Sequence, residues 1–210
     1  MNRIVVVGAG GHARVVADVI RLTGEFELHG FLDTENAERR GEEYEGSQVL
    51  GGHEMLSDLK RDGVTHAAVA IGDNHARLRI GQELEAMGFQ LPALVHPAAT
   101  VSANVRLDAG SVVFAGAIIN PATTIGRCAI VNTAASVDHD CTVGDGAHVG
   151  PGAHIAGWVT VGAGALVGVG AAVRPRITIG RDAIVGAGAA VISDVEPGTT
   201  VAGVPARVLS

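Results

Sequence analysis

The sequence is poor in the features that mark several protein classes. It holds 2 cysteines in 210 residues, Cys128 and Cys141, so there is no disulfide framework and no CxxC metal pattern. Lysine occurs once, at Lys60, and the net charge is −7. That balance is opposite to the basic surface of a nucleic-acid or anionic-membrane binder. Aromatic residues make up only 3%, so a core must be filled by aliphatic and small side chains. No apolar run approaches the length of a membrane span. Ile4–Val7 is too short for a secretion signal, and Gly8 and Arg14 soon follow it. These absences predict a soluble cytoplasmic protein.

Glycine is abundant instead. The chain has 30, roughly twice the usual share. A collagen period of three is absent, and Val, Ile, Leu and Ala run throughout, which excludes low-complexity disorder. Acidity is uneven. Residues 1–96 carry 9 basic and 15 acidic groups, and the remainder 6 and 7. Most of the excess lies between Glu25 and Glu45 and reads as a solvated strand edge and loop.

Residues 1–95 alternate strand and helix signals. Ile4–Val7 is a continuous β-branched run, as in a buried parallel strand. It ends in Gly8-Ala9-Gly10-Gly11-His12, and a helix is expected over Ala13–Leu22. Further strands are expected at Glu27–Asp33 and His66–Ile71, with a short helix at 53–61. A second long helix, Asn74–Met87, is expected to bury Leu78, Leu84 and Met87. The βαβ alternation predicts a small parallel sheet with helices on its faces.

From Val101 the period changes to six. Val101, Leu107, Val113, Ile119 and Ile125 open a series that continues without a break to Val191, sixteen hexads in one phase. Four residues after each stands a small or β-branched residue, from Val105, Ser111, Ala117 and Thr123 to Val195. Neither a heptad nor a 3.6 period fits this pattern, and a sixfold apolar repeat marks a parallel β-helix. Three hexads per coil make a triangular prism, about 25 Å tall at about 4.8 Å per coil. The repeat resembles the left-handed β-helix of hexapeptide-repeat acyltransferases. The predicted architecture is an α/β half-Rossmann domain over 1–95, then an all-β left-handed parallel β-helix with a C-terminal tail over 96–210.

Catalysis on such a prism needs a base, and the repeat offers His139, His148 and His154. His139 sits in Val137-Asp138-His139-Asp140-Cys141, at a hexad position that points away from the core. A carboxylate bonded to one ring nitrogen fixes the tautomer and raises the basicity of the other. Asp140 is the residue chosen for that role. Gly157 follows His139 by 18 residues, one coil above, where a ligand could approach its backbone and an N–H could face an oxyanion. Asn132 lies seven residues before, on the adjoining face. Cys141 points to the core, and no serine nucleophile has a matched partner. His154 reads as structural.

The stretch Val131–Cys141 resembles one hexapeptide subfamily, the sugar O- and N-acetyltransferases of the sialic-acid, bacillosamine and GDP-perosamine type. The resemblance spans the chain through Gly8–His12, Phe31-Leu32-Asp33, Ile71–Asn74 with Arg77, His96-Pro97 and Ala202–Arg207. It implies His139 as general base, Asp140 as its partner, and Asn132 and Gly157 at the reacting centre. It implies that His148, Val169 and Ala187 contact acetyl-CoA, the cosubstrate. It also implies that Gly10, Gly11, His12 and Asp33 hold the nucleotide of the sugar substrate, with Gly72 and Asn74 on the neighbouring loop. Thr34 stands where related chains often have a second acid, which leaves uridine and guanosine as alternatives, with uridine preferred. Arg174 and Arg176 flank Pro175, and either a CoA phosphate or solvent is their expected partner.

The same residues admit other readings. Three-histidine zinc sites on the same prism fold need a spacing of five, which is absent here, so no metal is expected. Gly8, Gly10 and Ala13 with Asp33 also fit a dinucleotide fingerprint. Fewer than 100 residues precede the repeat, however, so half a Rossmann fold suits a nucleotide-sugar better. Sugar O-acetylation and a non-catalytic nucleotide-sugar-binding scaffold remain as alternatives. His139 and His148 are half a coil apart, so sharing one acetyl-CoA requires two chains. With the family's habit, this predicts a homotrimer with sites between subunits.

Overall fold

In a computed structural model describing residues 1–209, the chain divides after Pro97 into two compact units. In the first unit β1 (Asn2–Val7), α1 (Gly11–Thr23), β2 (Phe26–Leu32), β3 (Glu43–Tyr44) and β4 (Ser47–Gly51) come first. They are followed by α2 (Leu56–Arg61), β5 (His66–Val69) and α3 (Asn74–Ala86). The sheet order is β3-β4-β2-β1-β5, parallel except at the β3–β4 hairpin. Ile4 to Val7 are wholly buried, as expected of a central strand covered on both faces.

Two details differ from the sequence reading. The acidic stretch contains a hairpin whose second strand extends the sheet beyond β2. The buried stripe of α3 is Arg77, Ile80, Gly81 and Leu84, so Leu84 is buried as expected, while Leu78 is only half-buried and Met87 is exposed. The reason is Arg77, whose guanidinium is buried because loop carbonyls accept its N–H groups. A hydrophobic pattern does not count such a residue.

The second unit is a parallel β-helix. Two-residue strands recur every six positions from Thr100–Val101 to Ala190–Val191, and each pairs with the strand 18 residues away. The first face carries Val101, Ile119, Val137, Ile155, Val173 and Val191. The second carries Leu107, Ile125, Val143, Val161 and Ile179, and the third Val113, Val131, Val149, Val167 and Val185. Nearly all of these point inward and are buried, with Ala117, Ala129, Ala135 and Ala147 packed under the corners. Each buried Val or Ile contributes about 1.5–3 kcal/mol.

The outward residue beside each inward one distinguishes the faces. On the second face it is Arg106, Thr124, Thr142, Thr160 and Thr178. On the first it is Thr100, Ile118, Ser136, His154, Ala172 and Ala190, and on the third Val112, Ile130, His148, Leu166 and Ile184. The second face is therefore polar and the other two are more apolar.

Most corners of the coils turn through a residue in the left-handed region. Between the third and first faces these are Gly116, Ala134, Gly152, Gly170 and Gly188, and between the second and third Gly110, Cys128, Gly146, Gly164 and Asp182. The corner between the first and second faces differs: Ala122, Asp140, Trp158 and Arg176 hold φ near +60°, and none is glycine. A non-glycine residue there costs on the order of 1–3 kcal/mol, so that column carries backbone strain in every coil it spans.

Candidate active site

His139 stands on the strained corner. The chain leaves the buried Val137, and Asp138 turns its carboxylate back to accept from His139 N and from Asn120 Nδ2, each at 2.8 Å. The His139 amide and the Asn120 amide hold the Asp138 carboxyl below its ordinary range. Its carbonyl accepts the Thr123 hydroxyl at 2.8 Å. These bonds fix the backbone under the imidazole. The left-handed Asp140 then places Oδ2 2.8 Å from His139 Nδ1. Nδ1 donates to that carboxylate, so the lone pair of the neutral ring lies on Nε2.

The ring lies against Gly157. A Cβ built on Gly157 would stand 2.8 Å from both Cε1 and Nε2 of His139. The space expected for a ligand is therefore taken by the histidine itself. The Gly157 carbonyl accepts Arg176 N at 3.1 Å, while among the described residues its N–H meets no acceptor. Trp158, which the sequence reading passed over, packs edge-to-face on the imidazole at 4.5 Å between centroids. Its other neighbour is Arg176, whose guanidinium carbon lies 4.4 Å from the indole centroid. Arg176 is thus stacked on an aromatic ring, while Arg174, directly after the Ala172–Val173 strand, is exposed.

Cys141 is buried, and its Sγ donates to Ala156 O at 3.2 Å. Burial pushes its thiol pKa up, which makes it a poor nucleophile. One expectation needs correction: Ser136 does have a partner, because its Oγ lies 2.8 Å from His154 Nδ1 one coil above.

A second cluster occupies a different edge of the same prism. Asn132 Nδ2 donates to His148 Nε2 at 2.9 Å, so within one chain Asn132 accompanies His148 and not His139. Val169 and Ala187 lie 18 residues apart at this corner, both exposed. The sequence-selected residues of this unit therefore form two groups on separate corners.

In the first unit a cleft of about 340 Å³ is lined by Gly10, Gly11, His12, Asp33, Thr34, Arg39 and Gly72, among others. Gly10 caps α1, and a Cβ on Gly10, Gly11 or Gly72 would meet nothing within 4 Å. Packing does not demand these glycines, and they leave backbone open to the cleft. Asp33 is more occupied than expected. Its Oδ1 accepts the N–H groups of Glu35 and Asn36 at 3.0 and 2.9 Å, and Oδ2 accepts Arg39 Nη1 at 2.8 Å. Burial raises its pKa, but those donors outweigh burial and hold the carboxyl below its ordinary value.

Arg39 also donates to Ala9 O, and Tyr44 Oη donates to Gly10 O. These two residues, invisible to motif reading, tie the glycine loop to the β2 end. His12 is held neutral, since burial and then the Arg77 charge push its pKa down to about 4. Arg77 also donates to Gly72 O and Asn74 Oδ1, at 3.0 and 2.8 Å, which shapes the loop at the cleft mouth. No helix among the described residues is long and apolar enough to cross a membrane.

Comparison with known proteins finds relatives over the whole chain. The PglD N-terminal domain family matches residues 3–84. PerB from Caulobacter crescentus, solved in complex with CoA and GDP-perosamine, is 41% identical. The match covers 100% of this chain and 98% of that one, with a TM-score of 0.94. The acetyltransferase domain of PglB from Neisseria gonorrhoeae FA1090, solved with acetyl coenzyme A, is 39% identical. Coverage there is 100% of both chains, with a TM-score of 0.93. The UDP-N-acetylbacillosamine N-acetyltransferase of Bacillus subtilis (strain 168) is 36% identical over 119 residues. Those residues are 55% of this chain and about half (52%) of that enzyme. At these identities and coverages the chain belongs to the left-handed β-helix, hexapeptide-repeat sugar N-acetyltransferases.

Proposed function

We propose that this protein transfers the acetyl group of acetyl-CoA directly to the amine of a nucleotide-linked 4-amino-dideoxy sugar. The observation that carries the reading is the His139–Asp140 pair, which leaves Nε2 as the basic atom on an exposed corner. The amine lone pair attacks the thioester carbonyl as Nε2 accepts a proton from the nitrogen, and the C–N bond forms. The Gly157 N–H donates to the tetrahedral oxyanion. Collapse breaks the C–S bond, and the His139 proton passes to the departing sulfur. The products are the amide and CoA thiol, with no acyl-enzyme.

The first-unit cleft is the nucleotide-sugar site in this reading. Open backbone at Gly10 and Gly11 and the α1 N-terminus suit a diphosphate. A UDP-linked acceptor is the first choice, with the GDP-linked sugar as the second arm, since PerB was solved with GDP-perosamine.

The active assembly is a cyclic homotrimer. Two more apolar prism faces per chain match the two different patches of a heterologous ring contact, and the threonine-rich face is left for solvent. His148, Asn132, Val169 and Ala187 of one chain then meet acetyl-CoA beside His139 of the next.

The test is thiol release from acetyl-CoA against a panel of UDP- and GDP-linked amino sugars and their hydroxyl counterparts. Release with an amino sugar alone supports the reading. Release only with the hydroxyl counterparts replaces it by O-acetylation, and no release with any acceptor leaves a binding scaffold.

A further inference from the structure

Trp158 is the single tryptophan of the chain, and its place is an expensive one. It is 47% exposed, it holds φ +57°, and glycine occupies most equivalent positions on the other two corners. Exposure means that burial does not explain a large apolar ring here, and its backbone conformation disfavours any bulky side chain. Its own N–H donates to His139 O at 3.1 Å, a bond that any residue at this position would keep. The indole is therefore what distinguishes it.

The His139 ring is bounded on three sides. Asp140 holds Nδ1 at 2.8 Å, Gly157 on the next coil supplies a wall that admits no Cβ, and Trp158 closes another side edge-to-face. An imidazole held by one hydrogen bond can still swing about its χ angles. The indole removes that freedom, and Arg176 stacked 4.4 Å from its centroid fixes the indole in turn. Strain in a sparsely populated backbone region collects where function needs it, and this column is strained at Asp140, Trp158 and Arg176 alike.

We propose that Trp158, clamped by Arg176, is a positioning residue that holds the His139 imidazole in its reactive orientation. This inference rests on the reading of His139 as the base. Trp158 acts through that ring and has no role on the transferred group.

The experiment compares Trp158→Gly, Trp158→Asn and Trp158→Phe in the full-length protein and in a His139→Ala background. Glycine and asparagine both accept the left-handed conformation, so their melting temperatures should equal or exceed that of the parent. The kcat of both should fall by about tenfold or more, the scale of a misplaced catalytic group. The KM values for both substrates should change by less than about threefold, and Trp158→Phe should recover most of the rate. In the His139→Ala background, Trp158→Gly should cause no further loss.

Parental kcat in Trp158→Gly and Trp158→Asn would overturn the proposal. So would a further loss in the His139→Ala background, which would place the indole on the substrate. Equal damage from phenylalanine and glycine, or a fall in kcat matched by a fall in melting temperature, would do the same. Near-parental activity of His139→Ala alone would instead remove the base reading, a failure separate from that of Trp158.

Discussion

The imidazole of His139 occupies the place where Gly157 would carry a side chain, 2.8 Å from the Cβ position. Gly157→Ala must therefore displace the ring or the coil. Neither neighbour is the loose end of a flexible chain, because Asp140 and Trp158 hold the ring from its other sides. Turnover should fall at least about 100-fold, the cost of roughly 1 Å of misplacement. Steady-state kinetics beside a thermal melt would check this, and an unchanged kcat would show that the ring moves freely.

Of the nucleophilic or basic groups near this corner, only His139 should be indispensable. His139→Ala should lower kcat by about 10²–10⁴-fold, the range of general-base catalysis. Ser136→Ala, His154→Ala and Cys141→Ser should each stay within about tenfold of the parent. A Ser136→Ala enzyme as inactive as His139→Ala would redirect the mechanism to a serine–histidine pair, for which the 2.8 Å contact already exists.

Subunit mixing tests the division of the site. His139→Ala and His148→Ala remove groups from different corners of one prism. If sites lie between chains, co-assembled variants regain intact sites in random mixing at about one quarter of the total. Recovery of activity on co-expression, and none when the purified variants are combined without exchange, is the expected result. A monomer by light scattering would contradict the scheme.

The first unit should lose stability as pH falls from 7 to 5. His12 has its pKa pushed down from 6.5 to about 4 by burial and by Arg77, so the unfolded chain binds its proton first. The folded state is favoured in full above pH 6.5, and the advantage declines toward pH 4, by at most about 3 kcal/mol. Melting temperature against pH should have a shallower slope in His12→Gln than in the parent. Parallel slopes would show that His12 is not the group responsible.

Arg39→Ala should weaken nucleotide-sugar binding without touching the chemistry. The guanidinium joins Asp33, Glu42 and the Ala9 carbonyl, and its loss frees two walls of the cleft to move. A rise of about tenfold in the acceptor KM with kcat retained is expected, and initial-rate kinetics with acetyl-CoA saturating would measure it.

Much of this was legible in the chain. Sixteen hexads in one phase specify the prism because inward valines and corner alanines leave little choice of register. The placing of Gly157 against His139 follows from the 18-residue count, and Asp140 from its adjacency to that histidine. What escaped was contact made by unlike partners. The Ser136–His154 pair and the Asn132–His148 bond join residues whose relation appears only after coils are stacked. Arg39 and Tyr44 reach the glycine loop from 30 and 34 residues away, without a motif. Arg77 hid the buried face of α3, since a charged residue reads as a solvent position until its carbonyl partners are seen.

The 18-residue spacing has one more consequence. Loss or gain of a single residue between Asp140 and Gly157 would turn every later inward valine outward, and it would also set Ala156 or Trp158 against the imidazole. Frame and chemistry thus share one ruler, and length variation inside this coil is closed to the protein. Change must come by substitution in place, or by adding whole coils elsewhere, as when text can be edited by word or by line but never by half a character.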